Sequence, residues 1–316
     1  NSWMHTPQGY EMVDGVAFAT NWFEIIFNPS MSYRFTHMML ASGLTVAFLI
    51  AGLSAFRWLL GDRSGGVRAT LKTGVYMGAL LIPVQVFMGD LHGLNTLEYQ
   101  PQKVAAMEGN WETGPNVPLL LFAIPDEETR SNRMEVGIPN MASIILKHKA
   151  DGVVPGLNDF VTAEGEVLHP PVAPVFWSFR IMVGTGFAML ALSWFAAFMM
   201  LRRGRGAEGV PKLALYAMVP MAFSGWVATL AGWYTTEIGR QPWLVQGVLT
   251  TEQAVADVPA PFVGITLAAY LSIYVLLLGA YIAVLFYLAR KGVTGDVPRP
   301  RTPLAGQAVA SNVPAE

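Results

Sequence analysis

The sequence predicts an all-α fold: a polytopic transmembrane helix bundle of five spans with one long extracytoplasmic loop. Two observations carry that prediction. Of 316 residues, 53% are hydrophobic and only 13% charged, with a mean hydropathy of +0.41, far more apolar than a soluble domain of this size. Five apolar runs, roughly Thr36 to Leu60, Thr70 to Gly89, Val175 to Leu201, Leu213 to Tyr234 and Phe262 to Leu288, each approach the ~20 residues that a bilayer core demands.

Taken in order, residues 1–35 are polar and interrupted by Pro7 and Pro29, with neither a basic n-region nor an apolar h-region. They read as an extracytoplasmic segment without a signal peptide, and the start at Asn1 suggests a partial chain. Residues 36–89 hold the first two spans. The second is the weaker because Pro83 and Gln85 interrupt it, although neighbouring helices can re-satisfy a backbone freed by proline. Residues 90–174 are too many for a simple connection, and loops of this length are functional or disordered. Residues 175–236 hold the third and fourth spans, 237–261 a second outer loop, 262–290 the fifth span, and 291–316 a Pro-, Ala- and Gly-containing tail expected to be disordered.

Orientation follows from the short connections. Arg57, Arg63, Arg68 and Lys72 surround the first, Arg202, Arg203, Arg205 and Lys212 the second, and Arg290, Lys291, Arg299 and Arg301 follow the last span. If the spans alternate, all three clusters share one side, which the positive-inside rule makes the cytoplasm. The amino terminus and both long loops are then outside.

Composition also excludes. A net charge of −2 leaves no basic footprint for nucleic acid. The absence of cysteine removes disulfides, iron–sulfur clusters and covalent c-type haem, so any metal must be held by His, Met or carboxylate.

Several residues stand out against that background. His37 lies about one turn inside the first span, and Met182 roughly 10 Å into the third from the same outer face. Singly, each has an ordinary reading, an interfacial histidine and one of sixteen methionines. Together they form a His/Met pair, a recognised axial set for low-spin haem. Arg180, two residues before Met182, needs an anionic partner, which a haem propionate would supply. Glu237 closes the fourth span with Trp233 at i−4 and Arg240 at i+3, one shared face if the helix persists to Gln241. An interfacial ion pair beside a belt tryptophan is the plainer account. A buried carboxylate there could ligate iron weakly or relay protons. In the long loop Lys103 and Glu108 sit on a short helical stretch, suited to a two-electron, two-proton donor such as a quinol, whose hydroxyls need a proton acceptor and a hydrogen-bond donor. Asp90, His92 and Glu98 are further acceptors at the membrane exit.

The segments Asn1-Ser2-Trp3-Met4 with Pro7 and Gly9, Gly89-Asp90-Leu91-His92-Gly93, Lys103 to Glu108 with Trp111, Phe122 with Pro125-Asp126, Phe179-Arg180-Ile181-Met182, and Glu237 with Gly239-Arg240-Gln241-Pro242-Trp243 together resemble subunit I of the cytochrome bd-type ubiquinol oxidases, of the cyanide-insensitive, short Q-loop type. The resemblance covers essentially every segment, and Gly-Arg-Gln-Pro-Trp after a membrane helix is its most specific part. It implies that His37 and Met182 ligate haem b558, with Arg180 near its propionates. It further implies that Glu237 serves the haem b595 site as ligand or neighbour, with Trp233 between the haems and Arg240 paired to an acid. Lys103 and Glu108 then belong to the quinol-oxidising Q-loop, and haem d, or a third haem b, completes the oxygen site.

The implied activity is quinol:oxygen oxidoreduction in a bacterial inner membrane, with electrons passing from ubiquinol or menaquinol to dioxygen. The implied partners are subunit II, a small single-helix subunit and membrane lipid. The family pattern begins with about four further helices, so a missing amino-terminal half of subunit I is another expected partner and the chain alone is expected to be inactive. Two rivals are a haem b membrane anchor of a quinone-linked dehydrogenase and a non-haem transporter lined by Arg180 and Glu237. Only His37 lies within an apolar span to serve a bis-His anchor, and no inverted repeat supports transport.

Overall fold

A computed structural model describes residues 1–202 and 206–293. Arg203, Arg205 and residues 294–316, including Arg299, Arg301 and most of the expected disordered tail, lie outside the described residues.

The amino-terminal segment is more ordered than its polarity implies. A short helix α1 (Ser2–His5) leads to a hairpin of β1 (Tyr10–Val13) and β2 (Val16–Ala19), then a short helix α2 (Trp22–Ile26). Asn21 caps α2 by accepting from the Phe23 N–H at 3.0 Å, satisfying an orphan donor of its first turn. Thr6, buried, donates to Asn28 or Ser30, each 3.0 Å away, and so pins the segment to the start of α3 (Met31–Leu59).

α4 (Gly65–Tyr99) is capped by Ser64 and runs through Pro83 for 35 residues. The second span was expected to end at Gly89. It continues because nothing breaks the helix before Gln100-Pro101, where the residue preceding proline is pushed out of the helical region. Asp90, His92 and Glu98 therefore sit on the outer turns of α4 and not in a loop. α5 (Pro101–Glu108) restarts at once, with proline in its first turn, and stops at Gly109, whose φ of +66° is the left-handed cap glycine favours.

The remainder of the long loop is a folded cap. It contains an antiparallel hairpin of β3 (Leu119–Asp126) and β4 (Ser131–Ile138), helix α6 (Met141–Lys147) and a single 3-10 turn at Leu157–Phe160. Its core packs Ala105, Ala106, Trp111 and Leu157 against Val172 and Val175 at the start of α7 (Val172–Arg202). Such burial makes the cap part of the bundle rather than an appendage.

The fourth span is broken. α8 (Lys212–Met221) and α9 (Ser224–Ile238) meet at a 43° bend. Pro220 removes a backbone donor there. A Cβ on Gly225 would overlap the Thr45 side chain, so α9 approaches α3 closely, as small residues allow between membrane helices. Past α9, a small hairpin of β5 (Trp243–Val245) and β6 (Leu249–Thr250) fills the second outer loop. α10 (Ala260–Val293) lies against α3 and continues past Arg290 and Lys291, so residues 291–293 of the expected tail are helical.

α3 packs on α4 and on α8 with α9, while α7 packs on α4 and α9. These contacts make four corners, with α3 and α7 on the diagonal. At one end Arg68 pairs with Glu208 at 2.8 Å and a Cβ on Gly292 would lie 2.9 Å from Arg57, which gathers the three basic connections together. The inner half is close packed around Trp58, Leu71, Met200 and Leu215, and the middle around Leu44, Phe48, Ile82 and Met189.

Candidate functional site

The outer half of the bundle is built differently. On α3 from Met31 to Gly43, on α4 from Pro83 to Leu94 and on α7 from Phe179 to Ala188, no residue is fully buried. Bundle interiors otherwise reach crystal-like density. His37, Gln85, Gly89, Met182 and Gly232 lie at this level. Thr45 touches Gly225, so His37 on α3 and Gly232 on α9 both lie about 11 Å farther out along their helices. Met182 Sδ in turn lies 2.7 Å from where a Gly232 Cβ would stand. His37 and Met182 therefore share one depth on diagonal helices.

The two side chains face different neighbours. His37 Nε2 is 3.0 Å from the Gln85 amide nitrogen, its ring centre is 5.6 Å from that of His92, and Gly89 leaves room beside it. Its Nδ1 and the Gln85 Oε1 are buried without a hydrogen-bond partner among the described residues. Gly184 and Gly186 on α7 meet nothing within 4 Å. An orphaned imidazole nitrogen, a thioether, small residues and loose packing between facing helices fit a flat prosthetic group, which bundles commonly hold in this way.

Above this level sits the cap, with two buried ionisable centres. The first surrounds Lys103 on α5, 2% exposed. It donates to Gln100 Oε1 at 2.6 Å and lies 3.2 Å from His5 Nδ1. Gln100 donates onward to Gln246 at 3.1 Å. Burial, then Arg34 and Arg240, hold the Lys103 ammonium well below the usual lysine range, with Glu237 opposing. Burial, then Lys103, Arg34 and Arg240, push the His5 imidazole down. Gly239 is required here, because its Cβ would stand 3.0 Å from Lys103 Cγ and would overlap the Thr235 carbonyl. That close approach accounts for the first residue of the Gly-Arg-Gln-Pro-Trp motif.

The second centre pairs Glu108, at the end of α5, with Arg180 of α7 at 3.3 Å. Arg180 also donates to the carbonyls of Leu120 at 2.7 Å and of Met107, and its guanidinium stacks 3.9 Å from the Phe176 ring. Among the described residues its anionic partner is Glu108, because folding of the cap carries α5 onto α7. Burial raises the Glu108 carboxyl, opposed by Arg180.

Glu237 ends α9 and accepts from Arg240 at 2.5 Å and from the Asn1 amide at 2.5 Å. The helix stops at Ile238, so Arg240 reaches back from beyond the end and not from a continued helix. Trp233 is 57% exposed on the rim of α9, while Gly232 and Thr235 face α7 through Met182 and Ser178. Trp233 and Glu237, four residues apart on α9, keep one helical face, and Arg240 does not extend it because it lies beyond the helix end. Asp90 and Glu98 are exposed. Residue-by-residue reading overlooked His5, Gln85 and Gln100, and took Arg34 only as an interface marker. Neutral or lone side chains carry no spacing signal until distant segments meet.

A family model described as cytochrome bd terminal oxidase subunit I matches residues 1–293. The chain belongs to that family. Within the cytochrome bd family, it is 33% identical to cytochrome bd ubiquinol oxidase subunit 1 of Bacillus subtilis (strain 168), across 94% of this chain and 64% of the relative. It is 28% identical to cytochrome bd-II ubiquinol oxidase subunit 1 of Escherichia coli (strain K12), across 92% and 69%. The bd oxidase structure from Geobacillus thermodenitrificans superposes with a TM-score of 0.80 at 29% identity, over 92% of this chain and 65% of that one. The chain thus spans about two thirds of the length of these proteins. A cytochrome family implies haem, and the long apolar helices make this a multi-pass bacterial membrane protein. The anchor and transporter readings gain no support.

Proposed function

We propose that this chain forms the quinol-oxidising and haem-holding part of subunit I in a cytochrome bd-type quinol:oxygen oxidoreductase. One juxtaposition carries the reading: a cap with two buried proton-carrying groups, Lys103 and Glu108, lies directly above a loosely packed level that holds His37 and Met182. Haem bound at that level would supply one-electron chemistry between quinol and dioxygen. His37 and Met182 would be the axial ligands of haem b558.

The protein's own part is proton handling and positioning. Glu108, raised by burial, is suited to receive a quinol proton and pass it outward. Arg180 holds that carboxylate next to α7 and stabilises its charged form. Lys103, depressed by burial, offers a hydrogen bond without a permanent charge. Glu237, tied by Asn1 and Arg240, would serve the haem b595 site, with Trp233 at its edge. Haem d or a third haem b, the amino-terminal helices of subunit I, subunit II and a small single-helix subunit would complete the enzyme. The gathered basic connections support an orientation with the cap and amino terminus outside and the end of α10 in the cytoplasm, in which quinol protons would leave on the outer side.

The test is the assembled complex purified from membranes. Quinol-dependent oxygen uptake together with a reduced low-spin b band supports the proposal, whereas a preparation without a Soret band refutes it.

A further inference from the structure

Outside the membrane, the amino-terminal segment and the loop after α9 enclose a cleft of about 280 Å³, lined by His5, Thr6, Tyr10, Tyr99, Gln246 and Val248 among others. His5 is among its lining residues and is 1% exposed. Gln100 donates its amide to Gln246 and so turns Oε1 toward Lys103, which donates to that oxygen. His5 Nδ1 lies 3.2 Å from Lys103 Nζ and 3.2 Å from Gln100 Oε1; with Oε1 taken by the Lys103 donor, a second Lys103 hydrogen directed at Nδ1 goes with the tautomer that carries its proton on Nε2. That Nε2 is buried and has no hydrogen-bond partner among the described residues. Buried donors are almost always paired.

We propose that the cleft seats the ring of the quinol, with one ring oxygen accepting a hydrogen bond from His5 Nε2–H. This rests on the quinol-oxidising reading and gives it a docking position. The volume is near the lower end of ligand pockets, roughly 300 Å³, enough for a substituted six-membered ring but not for a long hydrocarbon tail. The strand that carries Tyr10 leads into an exposed apolar hairpin of Met12, Val13, Val16 and Phe18, along which a tail leaves. An oxygen keeps an acceptor lone pair both as hydroxyl and as carbonyl, so His5 holds quinol and quinone alike. Lys103, hydrogen-bonded behind the imidazole, then acts on the ring through His5.

The experiment uses the assembled oxidase, an aryl-azide quinone as photolabel, and steady-state quinol oxidation. The label is expected on peptides carrying Tyr10 or Val248. His5→Leu is expected to raise the quinol KM about tenfold, the scale of one lost hydrogen bond, with the dithionite-reduced visible spectrum unchanged. His5→Gln, which restores a donor, is expected to stay within about threefold of wild type. If His5→Leu fails to assemble, Val248→Trp fills the cleft from its rim and is expected to raise KM similarly. Label confined to the separate cleft of about 360 Å³ beside Glu108 and Asn132, or a wild-type KM in Val248→Trp, overturns the proposal while quinol oxidation itself stands. A wild-type complex that takes label in this cleft yet consumes no oxygen with quinol refutes the oxidase reading and upholds the binding site.

Discussion

The guanidinium of Arg180 donates to the carboxylate of Glu108 at 3.3 Å, across 72 residues of chain, and Arg180 is only two positions from Met182. The pair couples the cap to the helix that carries the thioether. Glu108→Ala leaves a buried guanidinium without its counter-charge and should cost about 3–5 kcal/mol, seen as lost amide protection across α5. Glu108→Gln keeps an acceptor for Arg180. It should preserve that protection while lowering quinol turnover at least about tenfold, within the range for loss of a proton-transfer group.

The cap should respond to pH through Glu108 on one side and His5 with Lys103, both depressed, on the other. Glu108 has a folded-state pKa above its ordinary 4.5, so its contribution is complete below that value and is lost as pH rises through the folded one. His5 is depressed from 6.5, so its contribution is present above 6.5 and is lost as pH falls below it. In the Glu108→Gln variant, intrinsic-rate-corrected exchange of residues 101–108 should therefore accelerate from pH 7 to pH 5. In a His5→Gln, Lys103→Met, Glu108→Gln triple variant, which also removes the depressed Lys103 amine, that slope should flatten.

Lys103 is a burden on the fold, because a buried ammonium must be desolvated or neutralised. Lys103→Met fills the same space, and His5 Nδ1–H can then donate to Gln100 Oε1, which is 3.2 Å away. The cap should keep its stability within about 1 kcal/mol. Quinol oxidation should fall sharply, with the haem spectrum retained. Equal loss of stability and activity would mean that Lys103 is structural.

Gly232 gives a test at the membrane level. A Cβ there would stand 2.7 Å from Met182 Sδ, so Gly232→Val must displace the thioether. The low-spin haem should lower its midpoint potential, because loss of a thioether ligand removes the stabilisation of ferrous iron. Gly279→Ala, on α10 at a position with nothing within 4 Å, should be silent by comparison.

Much of the fold was legible because membrane spans are set by length and apolarity, and four of the five have one end within about two residues of the expected boundary. The outer ten residues of α4 were not, since polar turns beyond the bilayer look like loop, although the absence of a breaker before Gln100-Pro101 was a readable signal. Glu108 beside Arg180 was hidden for a different reason: the charge demands an anion, but only folding of the cap brings this carboxylate to it. His5 lay inside the Asn1 to Gly9 segment already singled out by resemblance, yet a lone histidine gains meaning only when Lys103 and Gln100 are packed behind it.

The most direct test of the central claim is the reduced-minus-oxidised visible spectrum, with haem-to-protein ratio, of the assembled complex carrying His37→Ala or Met182→Ala. If an imidazole from α3 and a thioether from α7 clasp one haem across the bundle diagonal, each variant loses the low-spin b signal while subunit content is kept. An unchanged low-spin spectrum in both variants contradicts the account.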